Sequence, residues 1–364
     1  MQFHKILVTG ADGFIGSHLT EFLAARAGDE RRVLNLDLLT YAGSLDNLTC
    51  CNRYPRHRLV HGDIRDAALL TRLFSRYRID AVFHLAAESH VDNSLNDPGR
   101  FVDVNTRGTC LLLEAARRAW LGARPYKADP VACPGRFVMV STDEVYGSAG
   151  MDDCFSERAP LFPGSPYAAS KAGADMLCRA YANSYGLDVV IPRSANNYGP
   201  RQHQEKLIPR LLDAALKEEP LPIYGDGLQR RSWLHVADHC TALWTVFNKG
   251  LSGQIYNVGA GAAGEIDNLS LARHLCALLD CRRPRARGGS YAELITHVAD
   301  RPGHDRRYAL DCSRLKALGW EPRVSFAKGL EATVAWYEKR YMQRKGAPAA
   351  PAGGAGETKE HERA

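Results

Sequence analysis

The chain has 364 residues, of which 45% are hydrophobic and 24% charged, and its formal net charge is +6. This is the composition of an ordinary globular protein with one large or two medium domains, and no apolar run reaches the roughly 18 residues that cross a bilayer, so no membrane partner is expected. The basic residues are scattered, which argues against a nucleic-acid partner, whereas a mild positive charge suits an anionic substrate such as a nucleotide diphosphate.

The cysteines indicate a reducing compartment. The chain contains ten of them, and none forms a C-x-x-C pair. Isolated thiols in a chain of this length are typical of the cytosol rather than of disulfide frameworks or zinc sites. Residues 1–5 lead directly into a predicted strand, so no signal peptide is expected. We therefore predict a cytoplasmic protein without a metal site.

Strand and helix patterns alternate along the first half of the chain. Short continuous apolar runs that end in glycine or a polar residue are typical of strands buried in a parallel sheet. They predict strands at residues 5–9, 33–37, 59–63, 81–85, 137–141 and 189–193. Helical spacing falls between them, at residues 15–27, 67–77, 100–119 and 168–185. The alternation predicts an α/β fold with a doubly wound parallel sheet of the Rossmann type.

The pattern changes after about residue 195, where prolines and glycines break the chain into short elements. We expect residues 1–195 to form the sheet domain and residues 196–340 to form mainly a smaller C-terminal substrate lobe. Residues 233–260 are predicted to return to the first domain. The end of the chain, residues 346–364, is rich in Gly, Ala and Pro and lacks an apolar face, so it is predicted to be a disordered tail.

Three glycines join the first predicted strand to the first predicted helix. Gly10 permits a tight turn, Gly13 lets the backbone approach a pyrophosphate, and Gly16 lets helix and strand pack closely. With a strand before it and a helix after it, this spacing predicts a dinucleotide site. Asp37 ends the second strand, where its carboxylate would accept hydrogen bonds from both ribose hydroxyls and repel a 2′-phosphate. NAD is therefore predicted rather than NADP.

Two further strand ends should face this cofactor. Asp63 and Ile64 follow the third strand, at the distance expected for the adenine, although Asp63 could equally cap the next helix. Leu85, Ala86 and Ala87 follow the fourth strand, where small residues would let the backbone contact the nicotinamide half.

A Tyr-x-x-x-Lys pair supplies the reacting groups. Tyr167 and Lys171 lie one helical turn apart, so their side chains point the same way. A nearby ammonium and the positive nicotinamide would lower the pKa of the tyrosine, which suits removal of a hydroxyl proton during hydride transfer. Many surface helices carry such a pair, but Ser165 before it and Ser141-Thr142 upstream strengthen the interpretation as a dehydrogenase site.

With these residues in place, the chain resembles the extended short-chain dehydrogenase/reductase family, and within it the dTDP-glucose 4,6-dehydratases, from residue 5 to about residue 335. The matching segments are TYAG (40–43), AESHVD (87–92), NNYGP (196–200), EKLIP (205–209), YGDG (224–227) and DRPGHD (300–305). The most specific match is Thr142-Asp143-Glu144, since related epimerases lack the carboxylate pair. The resemblance implies an NAD-dependent lyase that converts dTDP-glucose to dTDP-4-keto-6-deoxyglucose and water.

The resemblance also implies a role for each residue of this triplet. After oxidation at C4 has made the C5 proton acidic, Glu144 would remove that proton and Asp143 would protonate the departing C6 hydroxyl; hydride then returns to C6. Thr142 would donate to the C4 oxygen and stabilise the charge that develops there. Two adjacent carboxylates in a cleft are expected to titrate apart, one as acid and one as base.

Binding contacts follow from the same resemblance. The implied cofactor contacts are Gly10, Gly13, Phe14, Ile15, Gly16, Asp37, Thr40, Asp63, Ile64, Leu85, Ala86, Ala87, Ser89, Tyr167, Lys171 and Asn197. The implied nucleotide-sugar contacts are Ser89, Thr142, Asn196, Lys206, Leu207, Pro222, Ile223, Tyr224, Arg231, Arg301 and His304. Among them, the cations Lys206, Arg231 and Arg301 are physically suitable partners for a diphosphate.

Several departures from the family leave alternatives open. They fall at residues 201–204, at Ser232, near residues 264–265, and at Leu38 and Val104 on the cofactor side. A dehydratase for another nucleotide sugar such as UDP-glucose, a nucleotide-sugar 4-epimerase, and a non-catalytic NAD-binding protein remain as rivals, although a simple epimerase needs no acid at C6. The resemblance further implies a homodimer, with the helices at 100–119 and 168–185 as candidates for the interface.

Overall fold

Eight strands form the central sheet of the protein. The structure is a computed structural model that describes residues 3–26, 31–53, 57–122, 133–261 and 264–346. From one edge to the other the strands are β12 (Ile255–Val258), β7 (Asp188–Ser194), β5 (Arg136–Met139), β4 (Ala81–His84), β1 (Lys5–Thr9), β2 (Arg32–Asp37) and β3 (His57–His61), and β6 (Ser141–Thr142) also pairs with β7. All of these pairs are parallel. The predicted fold class is confirmed.

Helices cover both faces of this sheet. In chain order the helices are α1 (Phe14–Ala25), α2 (Ala67–Tyr77), α3 (Val91–Asn96), α4 (Pro98–Phe101), α5 (Thr109–Leu121), α6 (Pro166–Tyr185), α7 (Leu207–Leu216), α8 (Val236–Lys249), α9 (Asn268–Arg282), α10 (Ser313–Ala317) and α11 (Phe326–Gly346). Successive side chains of a strand point to opposite faces. Ile6 and Val8 therefore pack in one apolar cluster with α1 and α8, whereas Leu7 packs in a second cluster with α2, α5 and α6.

The later part of the chain supplies short strands and a separate apolar core. Three two-stranded pairs join β10 (Arg230–Ser232) to β13 (Glu265–Asp267), β11 (Leu234–His235) to β8 (Asn197–Tyr198), and β14 (Ile295–Val298) to β9 (Leu221–Tyr224). Ile208, Leu212, Leu275 and Val334 are buried together in this core. Within residues 233–260, α8 packs on the main sheet and β12 belongs to it, where β12 lies beside β7.

Several predicted boundaries differ from the structure, most of them by one or two residues. The third strand begins and ends two residues before the predicted 59–63, so Asp63 lies in the loop after it. The predicted strand 137–141 is divided into β5 and β6, with Val140 between them. The predicted helix 100–119 contains a π-helical stretch, Val102–Gly108, between α4 and α5. Gly346 ends α11 rather than beginning a tail, and the rest of the predicted tail lies outside the described residues.

Candidate active site

The ends of several parallel strands open into one cavity of about 460 Å³. Its wall includes the loops that follow β1, β2, β3, β4 and β6, together with residues 194–197, 202–203 and 205–206. The strand order reverses beside β1, which has β2 on one side and β4 on the other. In an open parallel sheet this reversal creates the crevice in which nucleotides bind. The predicted site residues are therefore brought to the expected edge of the sheet.

The glycine loop after β1 is held close to its neighbours. Gly10 has a φ of +69°, and a Cβ on it would lie 2.6 Å from the backbone nitrogen of Ala86. A Cβ on Gly16 would collide with the carbonyl oxygen of Gly10. Gly13 precedes α1, and no side chain caps that helix, so its N-terminal end is available to an anion. This cradle fits the pyrophosphate of a dinucleotide.

Asp37 is fixed at the end of β2 on the cavity wall. Its Oδ2 accepts a hydrogen bond from the backbone nitrogen of Asp12 at 2.8 Å, and its Oδ1 accepts one from that of Leu39 at 2.8 Å. Each carboxylate oxygen retains a further lone pair for a ligand. The Asp37 carboxylate can therefore accept hydrogen bonds from a ribose diol. Together with the glycine loop, it forms a site that fits NAD.

Asp63 does not cap the helix that follows it. Asp66 is the N-cap of α2, because its side chain accepts a hydrogen bond from the backbone nitrogen of Leu69. Asp63 instead pairs with the Arg65 guanidinium at 2.7 Å and lines the cavity. The interpretation as a helix cap was therefore wrong.

Most of the predicted site residues meet at this cavity. Those that line it are Gly10, Gly13, Phe14, Ile15, Gly16, Asp37, Thr40, Asp63, Ile64, Leu85, Ala86, Ala87, Ser89, Thr142, Asp143, Glu144, Tyr167, Asn196, Asn197 and Lys206. The predicted residues outside its lining are Lys171, Leu207, Pro222, Ile223, Tyr224, Arg231, Arg301 and His304. The cavity thus brings together the predicted cofactor contacts apart from Lys171, and it includes fewer of the predicted substrate contacts.

The Thr-Asp-Glu triplet lies where β6 passes into a 3₁₀ helix, Asp143–Tyr146. Thr142 caps this helix by accepting a hydrogen bond from the backbone nitrogen of Glu144 at 3.3 Å, and its hydroxyl donates to Asp143 Oδ1 at 3.3 Å. Asp143 is 3% exposed, and its Oδ2 has no hydrogen-bond partner among the described residues. One carboxyl oxygen of the buried acid is therefore left for a ligand.

The two carboxyl groups differ in their surroundings. Burial, and then the neighbouring Glu144, raise the pKa of Asp143 to about 8. Burial also raises the pKa of Glu144, but Arg301, Arg231 and Lys206 oppose that rise. Asp143 is therefore neutral at pH 7, which suits an acid, and the surrounding cations favour the ionised form of Glu144, which suits a base.

The expected effect of Lys171 on Tyr167 is not found. Tyr167 is buried, and burial, Glu144 and Asp143 together raise its pKa far above the usual value, opposed by a hydrogen bond with Thr142. The Lys171 ammonium instead donates to the backbone oxygen of Val140 at 2.8 Å. In the protein without NAD, burial and two nearby carboxyl groups dominate the pKa of Tyr167, so Lys171 alone does not lower it. The part of the prediction assigned to the positive nicotinamide stays a prediction.

The three predicted diphosphate partners have other contacts. Arg231 is 4% exposed and donates to the backbone oxygens of Asp305 at 2.8 Å and Arg230 at 2.8 Å. Lys206 donates to the backbone oxygen of Ser89 at 2.6 Å. Arg301 lies 3.5 Å from an Asp92 carboxylate oxygen. Arg231 is committed to the backbone, so it is less free to bind a diphosphate than the sequence suggested.

The remaining predicted substrate contacts lie in the C-terminal lobe. The Tyr224 hydroxyl donates to Asp92 Oδ2 at 3.2 Å, and His304 Nδ1 lies 2.6 Å from Asp300 Oδ1. Ile223 is 1% exposed, so its side chain belongs to the core rather than to a binding surface. Leu207 packs partly against the same core, and Pro222 lies in β9, paired in register with Thr296 of β14.

Sequence reasoning missed Asn105, which lies in the π-helical stretch. Its amide accepts from the backbone nitrogen of Glu88 at 2.8 Å and donates to the Glu88 carbonyl and to the Ser170 hydroxyl. Asn105 thereby ties the loop after β4 to α6. A π-helical turn often marks a functional site, but the sequence gives no signal for one.

His239 and His203, which also line the cavity, were missed as well. Buried His239 lies 2.6 Å from the Ser194 hydroxyl. His203 lies edge-on to the Tyr41 ring at 5.5 Å and 3.6 Å from a Glu205 carboxylate oxygen. His203 falls in the segment 201–204 that departs from the family, and that departure was the available signal. No group of three or more metal-ligating side chains occurs within the described ranges.

Comparisons with known proteins agree with this site. The family model described as GDP-mannose 4,6 dehydratase matches residues 7–333. The dTDP-glucose 4,6-dehydratase of Xanthomonas campestris pv. campestris (strain B100) is 49% identical over 332 residues, which is 91% of this chain and 92% of that protein.

Solved structures give the same result. DesIV, a dTDP-glucose 4,6-dehydratase from Streptomyces venezuelae with NAD and TYD bound, superposes with a TM-score of 0.83 at 45% identity, covering 93% of this chain and 98% of that one. The UDP-glucose 4-epimerase of Thermotoga maritima with UDP-glucose matches with a TM-score of 0.79 at 29% identity, covering 93% and 99%. The predicted family is confirmed: the chain belongs to the dTDP-glucose 4,6-dehydratase family.

Proposed function

We propose that the protein is an NAD-dependent hydro-lyase that converts dTDP-glucose to dTDP-4-keto-6-deoxyglucose and water. The observation that carries this proposal is the buried pair Asp143 and Glu144, in which an acid with a pKa of about 8 lies beside a base surrounded by cations. A 4-epimerase needs no acid at C6, so the pair favours a dehydratase. The named relatives and the NAD-bound DesIV structure support the same activity.

Oxidation and elimination use different residues in this proposal. When bound, NAD supplies the acceptor and donor for the hydride. Burial keeps Tyr167 protonated in the protein alone, so its role as the base requires the positive nicotinamide of bound NAD to favour the phenolate. Tyr167 would then take the proton of the C4 hydroxyl, and Thr142, which is hydrogen-bonded with Tyr167, would stabilise the charge on the C4 oxygen. Lys171 acts from behind the cavity wall, where it binds the carbonyl of Val140 next to β6. The binding roles of the other predicted residues are part of the same proposal.

The carboxyl pair then removes water. Glu144 takes the C5 proton, and neutral Asp143 gives its proton to the C6 hydroxyl as the C5–C6 double bond forms. The Asp143 carboxylate is thereby formed in a buried place, which favours its reprotonation before the next cycle. Asp143 Oδ2, which has no partner among the described residues, is the oxygen available for this transfer.

The test uses the purified full chain with dTDP-glucose and, separately, UDP-glucose. We expect a product of dTDP-glucose that is lighter by one water in mass spectrometry and shows a new C6 methyl signal in NMR. Unchanged substrate would refute the proposal, and a C4 epimer of unchanged mass would support the rival epimerase. A faster reaction of UDP-glucose would change the nucleotide and leave the dehydratase mechanism intact.

We further infer a homodimer in a reducing compartment such as the cytoplasm. Val102 and Met176, in the two helical segments predicted to form the interface, expose apolar side chains at 52% and 39%. Cys110, Cys178, Cys240 and Cys276 form no disulfide within the described residues. Within the described ranges, no helix has the length and apolar character needed to span a bilayer. The division into a cofactor domain and a substrate lobe is also proposed, and the separate core around Ile208 and Leu275 supports it.

A further inference from the structure

A buried ion pair lies directly behind the Thr-Asp-Glu triplet. Asp175 on α6 and Arg193 on β7 are 2.8 Å apart, from Oδ2 to Nε, and their side chains are 0% and 1% exposed. Neither residue is part of the cavity lining. Burying two charges is costly, and packed apolar residues would often be as stable. The contacts of the pair indicate what it provides instead.

The pair holds both ends of the segment that carries the triplet. Asp175 Oδ2 accepts a hydrogen bond from the hydroxyl of Ser141 at 3.2 Å, and Ser141 directly precedes the triplet. The Arg193 guanidinium lies 4.7 Å above the ring of Tyr146, which ends the 3₁₀ helix. The Tyr146 hydroxyl in turn donates to Asn257 Oδ1 at 2.8 Å. Both ends of residues 141–146 are therefore held by buried groups that lie outside the cavity lining.

Asp175 also faces the ammonium of Lys171. Tyr167, Lys171 and Asp175 follow one another at intervals of four residues on α6, so they share one face of that helix. Burial lowers the pKa of Lys171 to about 8, and Cys178 and then Asp175 oppose this effect.

Other titratable groups around Lys171 are neutral. Burial raises the pKa of the Cys178 thiol on α6, and burial together with Lys171 lowers the pKa of His84 on β4 to about 3. Asp175 is therefore the carboxyl group on the same face of α6 as this lysine, and it is paired with Arg193.

We propose that Asp175 and Arg193 form a positioning pair, which fixes the triplet against Tyr167 through Ser141 and Tyr146 and keeps the Lys171 ammonium charged at neutral pH. The proposal rests on the proposed roles of the triplet and of Lys171. The pair itself contacts neither cofactor nor substrate. Its effect should appear in the rate of reaction and in the titration of Lys171, rather than in substrate binding.

The electrostatic part is tested without any assay of activity. The full chain is labelled with ¹³C at the lysine ε carbons, and the signal of Lys171 is assigned by its loss in Lys171→Met. In Asp175→Asn the pKa of Lys171 should fall by about one unit, because an opposite charge is lost. If this variant does not fold, Asp175→Asn/Arg193→Met removes both charges and is expected to show a shift in the same direction. An unchanged titration in the folded variant would overturn the proposal.

The geometric part is tested with Ser141→Ala, which leaves both buried charges paired. We expect kcat for dTDP-glucose to fall about 10-fold with KM unchanged, because the loss of a hydrogen bond to a charged group lets the triplet move. Wild-type kcat in this variant, or a change confined to KM, would overturn the positioning role.

A matched control is available on the same strand. Asp188, the first residue of β7, forms an ion pair with Arg136 at 2.8 Å away from the cavity. Asp188→Asn should leave both the Lys171 titration and kcat unchanged, and a similar effect there would show that any lost ion pair acts this way. If the wild-type protein did not dehydrate dTDP-glucose, the proposed function would fail, while the lysine titration would still decide the electrostatic part.

Discussion

Asp143→Asn should make the protein more stable while it slows the reaction. Asp143 is 3% exposed, and its pKa is raised from the ordinary 3.8 to about 8, first by burial and then by Glu144. At pH 7 its carboxyl is neutral in the folded protein and ionised in the unfolded chain. The gap between pH 7 and the ordinary pKa is about three pH units, so at about 1.4 kcal/mol per unit folding loses at most about 4 kcal/mol. Asparagine has a similar shape and no such cost.

The pH dependence identifies the cause of this stabilisation. Below about pH 4 the carboxyl is neutral in both states and the cost is absent. The cost grows as the pH rises through the window between 3.8 and about 8, and it is constant above that window. The free energy of unfolding of the variant minus that of the wild type should therefore increase from pH 4 to pH 8. Urea unfolding monitored by tryptophan fluorescence at several pH values measures the difference.

Asp226 provides a control because its pKa is shifted in the opposite direction from that of Asp143: Arg306 lowers it to about 2. This exposed carboxylate adds stability that is present above its ordinary pKa and lost as the pH falls toward about 2, so Asp226→Asn should give no gain at pH 8. A difference between Asp143→Asn and the wild type that is constant from pH 4 to pH 8, or a variant less stable than the wild type at pH 8, would refute the reasoning.

The activity of Asp143→Asn completes this prediction. The amide cannot donate the proton that the C6 hydroxyl needs, so we expect dehydration to slow by roughly 10²-fold or more. Stability gained together with activity lost is the expected behaviour of a strained catalytic group. Dehydration at the wild-type rate would show that Asp143 is not the acid, whatever the unfolding data show.

The other predictions concern the remaining groups of the site. Tyr167→Phe should abolish turnover of dTDP-glucose without loss of NAD binding, as shown by kinetics and by calorimetric titration with NAD. Glu144→Gln should block exchange of the C5 proton with solvent deuterium, which NMR follows directly, and exchange at the wild-type rate would exclude Glu144 as the base. Asp37→Ala should weaken NAD binding by roughly 10–100-fold, because hydrogen bonds to a charged acceptor are lost; equal affinity in a titration would contradict the assignment. The kcat/KM for dTDP-glucose should exceed that for UDP-glucose by roughly 10–200-fold if an apolar pocket holds the thymine methyl, and a ratio near one would overturn the thymidine preference.

The cofactor half of the site could be predicted because its signals are contiguous in sequence. The run from Lys5 to Gly16 contains a strand, a turn and a helix start, and each glycine has a local steric reason that the structure shows at Gly10 and Gly16. Asp37 was found because it ends an apolar run. The third strand was placed two residues late because β3 is an edge strand and its largely exposed residues lack a clear apolar pattern.

The substrate half was harder because its contacts join distant segments. Asp92 meets Tyr224 and Arg301, which follow it by 132 and 209 residues. The sequence shows that Tyr224 and Arg301 are of types that can bind a nucleotide sugar. It cannot show that the carboxylate of Asp92 already contacts both of them. Arg231 was expected to face a diphosphate, yet its guanidinium is taken up by backbone oxygens of a loop about 75 residues further along the chain. Such partners depend on tertiary packing, which no local pattern encodes.

The same long-range convergence explains how two adjacent carboxyl groups come to differ. Asp143 and Glu144 are both buried, and burial raises the pKa of each of them. Arg301, Arg231 and Lys206 oppose the rise in the pKa of Glu144, whereas Arg231 opposes the rise for Asp143. We therefore expect the division into acid and base to be set by cations from three separate segments of the chain. It follows that removal of one of them, as in Arg301→Gln, should raise the pKa of Glu144 and move the acid limb of the kcat profile to higher pH, even though Arg301 donates no proton in the reaction.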